Sequence, residues 1–324
     1  MPTTTRSLPA RWRAAALALA ALLAAVVLMP GRADAAVTLR VGGQTDGLKS
    51  LLEASGALKG VKYGISWSTF TSGPPIVEAL QAGKIDVGGV GNTPVIFGAA
   101  SRPNFKLVAT LQQRQHRGDY LVVPGSSKIT SPKQLKGKRV AYTLGSSGHG
   151  FLVQVLQRAG LSTRDVTLVN LTPSDALAAF SSGKVDAWAT WEPFVSIVQK
   201  VVKGGAKGIP LKADYAASGL NFEIASTSAL ADRAKRAAIA DYVARLKRAL
   251  DWGYRNQNAW AEAFAKETNL PADISRQAIA RTTVNVIPVS SSIVAQEQTL
   301  ATALAKAGVV KQVRISSLVD NLVR

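Results

Sequence analysis

The sequence predicts an α/β protein built from two similar lobes with a cleft between them. Patterns typical of strands, turns and helices alternate as β-α-β-α-β in the first third of the chain and again in the second third. The motif GKID at residues 83–86 recurs as GKVD at residues 183–186, one hundred positions later. In both copies, strand patterns run into polar or Gly-rich turns that start helices. A chain of 324 residues is long enough to form two lobes of this kind.

The N-terminal segment has the pattern of a cleavable export signal. Arg6, Arg11 and Arg13 precede an uninterrupted apolar stretch at residues 14–29, and Ala-Asp-Ala at residues 33–35 is a small-x-small cleavage pattern. A transmembrane anchor is the alternative, but the apolar stretch is shorter than the roughly 20 residues that span a bilayer. We therefore expect residues 1–35 to be removed and the protein to be exported, most simply to a periplasm.

The composition excludes several kinds of chemistry. There is no cysteine, which excludes thiol catalysis, thiolate metal sites, disulfides and a lipid-modified N-terminal cysteine. The two histidines, His116 and His149, are too far apart in sequence to suggest a metal site. We expect no catalytic residue, no metal and no cofactor.

The charge of the chain is strongly positive. Removing residues 1–35 takes four arginines and one aspartate from 39 basic and 20 acidic residues, which leaves a net charge of +16. The basic residues are scattered rather than clustered in a stripe, and export argues against a nucleic-acid partner. An anionic ligand or an anionic membrane surface fits this charge better.

The first copy of the repeat has its polar residues where strands end. The predicted strands are residues 39–43, 61–70 and 85–90. The turns that follow them contain Gln44, Asp46, Ser72, Gly73, Asn92 and Thr93. A parallel sheet of β-α-β-α-β order gathers such turns at the carboxyl ends of its strands, where ligands bind.

The second copy contains the strongest candidate for an anion site. A strand pattern at residues 138–144 leads into the turn GSSGHG at residues 145–150, and a helix pattern follows as far as Gly160. Unpaired N–H groups at such a helix start favour anions. The candidate residues there are Ser146, Ser147 and His149. A flexible turn with an ordinary serine cap is the alternative.

The corresponding helix start in the first copy is expected to be the weaker of the two. Pro74 and Pro75 lack an N–H, so the contacts there reduce to the Ser72 hydroxyl and the Gly73 amide. The one-hundred-residue shift also places Asp175 at a helix start and Trp191 with Glu192 at the end of a strand. We expect Trp191 in the cleft and Trp188 in the core.

The lobes are expected to be joined by two crossing strands, near residues 119–123 and 220–225. The predicted first lobe contains residues 36–119 and 222–324, and the predicted second lobe contains residues 120–221. From Ser228 onward the chain has helical periodicity and no strand pattern, so these helices are expected to pack on the first lobe's sheet. Clefts of this kind commonly close around a ligand by hinge motion.

Four strings carry a resemblance to a known family: SGPPIVEALQAGKIDVGGVGNTP, LKGKRVAYTLGSSGHG, LTPSDALAAFSSGKVDAWATWEP and EQTLATALAKAG. They resemble the aliphatic sulfonate-binding proteins of ABC importers, within the taurine/nitrate/sulfonate periplasmic binding family, over residues 38–318. The resemblance implies a type II periplasmic binding protein, a monomer that binds a sulfonate between its lobes and delivers it to an ABC permease. It implies no cofactor.

The family's site residues transfer to matching positions of this chain. Ser72 and Gly73 match the family's first oxyanion contact. Ser146, Ser147 and His149 match the second, and Trp191 with Glu192 matches a W-D-P motif that lines the cleft. Asn92 and Glu192 depart from the family, since many relatives have Asp at both positions.

The Glu192 carboxylate needs a partner in a closed cleft, because an unpaired buried carboxylate is costly. A ligand ammonium, as in taurine-like compounds, is one possible partner, and an Arg or Lys of the protein is the other. The sequence leaves both open.

Other functions remain open at this point. The ligand could be nitrate or a pyrimidine precursor of thiamine, and an enzyme on the same fold or an exported sensor domain are further alternatives. The lobes carry no nucleophile–His–carboxylate spacing and no phosphate-loop lysine, and His149 alone is thin support for catalysis. We therefore favour a binding protein over an enzyme.

Overall fold

The computed structural model describes residues 37–45, 47–114, 118–209 and 219–323. The predicted export signal at residues 1–35 lies outside these ranges, as do Asp46 and His116. Within the described ranges, no helix combines the length and the apolar character needed to cross a bilayer.

Eleven strands and eleven α-helices are described, and they are numbered here in chain order. The strands are β1 (Thr38–Gln44), β2 (Gly64–Phe70), β3 (Val87–Gly91), β4 (Phe105–Gln113), β5 (Asp119–Pro124), β6 (Arg139–Tyr142), β7 (Thr167–Asn170), β8 (Ala187–Trp191), β9 (Ala206–Gly208), β10 (Leu220–Ser226) and β11 (Val284–Ile287). The helices are α1 (Leu48–Ala54), α2 (Gly73–Gln81), α3 (Asn92–Ser101), α4 (Ser147–Arg158), α5 (Pro173–Ser181), α6 (Phe194–Val201), α7 (Thr227–Ala231), α8 (Arg233–Arg255), α9 (Gln257–Thr268), α10 (Ala272–Arg281) and α11 (Ser291–Lys306).

The strands form two separate mixed sheets. The first has the order β11-β4-β10-β3-β1-β2, and the second has the order β7-β6-β8-β5-β9. In each sheet three parallel strands are followed by one antiparallel strand, giving β2-β1-β3-β10 in the first and β7-β6-β8-β5 in the second. The two sheets therefore repeat one arrangement, as the sequence predicts.

Matching ion pairs mark the two copies of the repeat. Arg40, in β1, donates to the Asp86 carboxylate from its backbone N–H and its guanidinium, and also to the Gly83 carbonyl. Arg139, in β6, makes the corresponding bonds to Asp186 and to the carbonyl of Gly183. The GK(I/V)D motif thus forms the same contact in both copies, because its aspartate holds the first residues of the neighbouring parallel strand.

The chain passes between the two sheets twice, at the places expected from the sequence. It leaves the first sheet after β4 and enters the second as β5, which pairs antiparallel with β8. It returns as β10, which lies between β3 and β4 and is antiparallel to both. The exact lobe boundaries, 36–119 with 222–324 and 120–221, stay a prediction.

The C-terminal quarter corrects one expectation. Its helices contribute to the cores against the first sheet, as predicted: α8, α9 and α10 pack with β1 and α1, and α11 packs with α2 and α3. The expectation that this region contains no strand was wrong. Residues 284–287 form β11 at the edge of that sheet, antiparallel to β4. Four residues between two helices are too few for a strand period to stand out.

Glu297 is a buried carboxyl in the middle of α11. It is 1% exposed, and neither carboxyl oxygen has a hydrogen-bond partner among the described residues. Burial raises the pKa of Glu297 to about 8. The carboxyl is therefore held neutral inside the apolar core around Ile293 and Leu300.

We expect Glu297→Gln to stabilise the protein at alkaline pH. The folded pKa is raised, so the folded state binds a proton more tightly than the unfolded chain. The wild type therefore loses stability as pH rises from about 4.5 to about 8. The neutral amide removes this loss, which is worth on the order of 4 kcal/mol at pH 8 and under about 1 kcal/mol at pH 5.

Urea unfolding at the two pH values measures this effect. Glu262→Gln, at an exposed position of α9, is the matched control and should leave the difference between the two pH values unchanged. Equal stability of Glu297→Gln and wild type at pH 8 would contradict the prediction.

Candidate functional site

A cavity lies where the two sheets face each other, at the carboxyl ends of several parallel strands. Its volume is about 100 Å³. Gln44 and Gly91 line it at the ends of β1 and β3, and Trp191 lines it at the end of β8. Other polar side chains that line it are Asn92, Gln113, Asp119, Ser146, Ser147, Glu192, Asn221, Arg281 and Thr282. The location agrees with the rule that ligands bind beyond the carboxyl ends of strands in α/β sheets.

Helix α4 begins at the wall of this cavity. Ser146 is its N-cap, and the Ser146 hydroxyl accepts from the backbone N–H of His149 at 3.3 Å. Gly145 precedes it with φ of 73°, a conformation that glycine adopts without strain. The amides of Ser147 and Gly148 have no acceptor among the described residues. The positive end of the helix dipole and these donors favour an anion at this point.

The start of α2 has fewer backbone N–H donors than the start of α4, because two prolines follow Gly73. Ser72 is the N-cap, makes no side-chain capping bond, and is followed by Gly73, Pro74 and Pro75. Gly73 lines the cavity, whereas Ser72 is buried beside it and does not. A Cβ at position 73 would lie 2.6 Å from a side-chain carbon of Pro94, so glycine lets the starts of α2 and α3 approach each other.

His149 lies behind the helix start and not in the cavity wall. Its side chain is buried, packs on the rings of Tyr142 and Phe97, and accepts from the Gly145 N–H at Nδ1 (3.2 Å). Burial lowers the pKa of His149 to about 4. The neutral imidazole accepts from the Gly145 N–H and so stabilises the backbone of the GSSGHG turn from behind the cavity wall.

Two further candidates lie away from the cavity lining. Thr93 is fully buried, and a Cβ at Gly150 would collide with its Oγ1, so it packs between α3 and α4. Asp175 is exposed at the start of α5, where its carboxylate accepts from Thr172 Oγ1 at 2.7 Å. The structure therefore brings together Gln44, Gly73, Asn92, Ser146, Ser147, Trp191 and Glu192. It leaves Ser72, Thr93, His149 and Asp175 outside the lining, and Asp46 lies outside the described residues.

Glu192 has a cationic partner within the protein. Arg281, the last residue of α10, approaches Glu192 Oε1 at 3.0 Å, and Glu192 Oε2 accepts from the Ser196 N–H at 3.2 Å. The same Arg281 nitrogen also donates to Gln199 Oε1 at 3.0 Å. Of the two partners that the sequence left open, the structure therefore provides the protein cation.

Asp119 is the other carboxyl in the cavity. It begins β5, and its Oδ1 accepts from the Ser147 hydroxyl at 2.6 Å. Burial raises the pKa of Asp119 to about 7, and the Ser147 hydrogen bond offsets part of that increase. An aspartate that titrates near neutral pH thus contacts the first residue of the anion-favouring helix.

Sequence reasoning missed Asp119, Asn221 and Arg281. Asp119 and Asn221 begin or nearly begin the two crossing strands, so the rule that crossing strands border the cleft could have found them. No sequence signal pointed to Arg281, because its helix begins some fifty residues after the end of the predicted second lobe. Trp188 is buried at 1% exposure and Trp191 lines the cavity, as expected.

The described residues contain no group of three or more His, Cys, Asp or Glu side chains that could hold a metal ion. The cavity instead offers backbone N–H groups at helix starts, hydroxyls, amides and one ion pair. Such a set can bind and orient a small anion.

Two mixed sheets joined by two crossing strands, with a cavity at their facing edges, define the class of periplasmic binding proteins. Solved structures that share this fold include two sulfonate-binding proteins. The periplasmic aliphatic sulphonate binding protein SsuA from Escherichia coli matches at 30% identity and a TM-score of 0.76, over 87% of this chain and 92% of that one. The alkanesulfonate-binding protein SsuA from Xanthomonas axonopodis pv. citri, bound to MOPS, matches at 28% identity and a TM-score of 0.80, over 88% and 98%.

The profile of the NMT1/THI5-like family matches residues 71–259, and the chain belongs to this family. An aliphatic sulfonates-binding protein of Escherichia coli (strain K12) is 36% identical over 194 residues. That alignment spans 59% of this chain and 60% of the relative's length.

Proposed function

We propose that the protein is the substrate-binding component of an ABC importer and binds an aliphatic sulfonate in the cavity between its two sheets. The observation that carries the proposal is the start of α4, where Ser146 and Ser147 present a helix N-terminus to the cavity. A sulfonate group has three oxygens and one negative charge, which suits several backbone and hydroxyl donors arranged around one point.

The pairing of Glu192 with Arg281 bears on the rest of the ligand. Since the Glu192 carboxylate already has a protein cation at 3.0 Å, it does not need a ligand ammonium to balance its charge. We therefore favour an alkanesulfonate over taurine within the proposed class. The half-buried Trp191 offers an apolar surface against which an alkyl chain can pack.

The delivery step, the compartment and the oligomeric state belong to the same proposal. The protein would act in the periplasm as a monomer after removal of residues 1–35, and an inner-membrane permease would receive the ligand. The relatives, which are named for sulfonate binding, support this role in transport. The positive charge of the chain supports an anionic ligand. Binding rather than catalysis is proposed, because the relatives are named as binding proteins and no histidine among the described residues lines the cavity.

Equilibrium titration tests the proposal directly. The mature chain would be titrated with ethanesulfonate, taurine, nitrate, sulfate and hydroxymethylpyrimidine. Binding would be followed by calorimetry and by thermal unfolding. The buffer would be imidazole, because it contains no sulfonate. We expect ethanesulfonate to bind most tightly and to raise the melting temperature, because ligands that bind the folded state stabilise it by mass action. If nitrate or the pyrimidine raises the melting temperature and no sulfonate does, the proposed ligand class is wrong.

A further inference from the structure

The contact between Asp119 and Ser147 limits what the Ser147 hydroxyl can do. A serine hydroxyl has one proton and can donate one hydrogen bond at a time. In this structure that proton is directed to Asp119 Oδ1, at an oxygen–oxygen distance of 2.6 Å. The hydroxyl at the anion-favouring helix start is therefore occupied by a neighbouring carboxylate.

A neutral Asp119 would reverse this hydrogen bond. A protonated carboxyl donates its own O–H to Ser147 Oγ, and the serine proton is then free to donate to a ligand oxygen. Protonation also removes a negative charge that would otherwise repel an anion at close range. Both effects favour an anion at the start of α4.

Among the described residues that line the cavity, few groups could compensate the charge of Asp119. Its cross-strand neighbour in β8 is Trp191, and α4 presents Ser146 and Ser147. The charged side chains among the described residues that line the same cavity are Glu192 and Arg281, which are paired with each other. Asn221, at the start of β10, is neutral.

We propose that Asp119 takes up one proton from the solvent when an anion binds at the start of α4, and that the neutral carboxyl frees the Ser147 hydroxyl to donate to the ligand. This inference rests on the proposed function of the cavity. No bond of the ligand breaks, and the transferred species is a single proton from water. Asp119 is thus a positioning residue that acts through Ser147.

Proton uptake by Asp119 makes anion binding depend on pH. Burial raises the pKa of Asp119 to about 7, so above neutral pH the ligand-free protein has an ionised Asp119 that must gain a proton on binding. The dissociation constant should therefore rise about tenfold per pH unit above about pH 7 and change little below it.

Ethanesulfonate is a suitable probe, because its charge does not change over the range of about pH 5 to 9 in which Asp119 titrates. We expect calorimetry near pH 8, in imidazole and in Tris, to show uptake of about one proton per ligand bound. Asp119→Asn imitates the neutral carboxyl, since its amide N–H can donate to Ser147. This variant should bind ethanesulfonate with an affinity that is independent of pH, and more tightly than wild type at pH 8.5.

Two control variants separate this effect from general titration. Asp165→Asn changes an aspartate in an exposed turn ahead of β7, and Glu297→Gln changes a group that titrates in the same pH range inside the core of the first sheet. Both should keep the wild-type pH dependence of binding. Circular dichroism would establish that each variant is folded.

The outcomes are distinguishable. If wild type binds ethanesulfonate with an affinity that does not depend on pH, this inference is wrong and the proposed function stands. The same holds if Asp119→Asn keeps the wild-type pH dependence of binding. A folded Asp119→Asn that binds no ethanesulfonate also overturns this inference. Absence of ethanesulfonate binding to wild type at every pH overturns the proposed function and this inference with it.

Discussion

Replacing Ser147 with tryptophan is expected to abolish sulfonate binding while leaving the protein folded. Ser147 lines a cavity of about 100 Å³, and a Cβ placed on Gly91 would lie 2.8 Å from the Ser147 Cβ, so the opposing wall is already close. An indole ring would fill the space of the anion and hold the walls apart. We expect affinity for ethanesulfonate to fall at least about 100-fold, which corresponds to ~2.8 kcal/mol.

Ser174→Trp provides the matched control for this change. Ser174 lies in the first turn of α5, like Ser147 in α4, but it is exposed and does not line the cavity. Calorimetry should give wild-type affinity for Ser174→Trp and no measurable binding for Ser147→Trp. If Ser147→Trp binds ethanesulfonate with an affinity within threefold of wild type, the start of α4 is not part of the binding site.

Replacing Arg281 with methionine is expected to destabilise the folded protein strongly. The Glu192 side chain is 8% exposed and would keep a single backbone donor, Ser196 N–H, after the guanidinium is removed. Removing one partner of a buried ion pair costs about 3 kcal/mol, because the other charge remains buried without compensation. Urea unfolding at pH 7 should show this loss.

A second substitution should restore most of the lost stability. Glu192→Gln in the Arg281→Met background removes the uncompensated charge, and we expect it to recover more than half of the loss. Lys200→Ala is the control, because Lys200 and Asp273 join the same two helices, α6 and α10, through an exposed ion pair. Exposed pairs contribute about 0.5 kcal/mol or less. If Arg281→Met lowers the free energy of unfolding no more than Lys200→Ala does, the ion pair of Glu192 and Arg281 does not stabilise the protein as expected.

Several site residues could be predicted because they follow the ends of predicted strands. Gln44, Asn92 and Trp191 each come at or directly after such a strand, and β-α-β connections bring the carboxyl ends of parallel strands to one edge. The helix start at Ser146 and Ser147 could be predicted for a similar local reason, since Gly and Ser at a strand-to-helix turn mark an N-cap. Whether these residues bind a ligand stays a prediction.

The positions of other residues relative to the cavity could not be predicted, because they depend on which side chains fold against them. His149 matches a family contact, yet Tyr142 and Phe97 enclose it behind the turn. Asp175 follows from the repeat, but the second sheet leaves it exposed at its own helix start. The four-residue strand β11 was missed because its stability depends on pairing with β4 rather than on a local pattern.

The sequence by itself determined the α/β class, the internal repeat, the two crossing strands and the anion-favouring turn GSSGHG. Each of these depends on periodicity and turn chemistry within a few neighbouring residues, or on the recurrence of a motif. The tertiary structure decided the partners of the two cavity carboxyls, Arg281 for Glu192 and Ser147 for Asp119. These contacts join residues 89 and 28 positions apart. The first depends on the packing of α10 against α6, and the second on the packing of α4 against β5 within the second lobe.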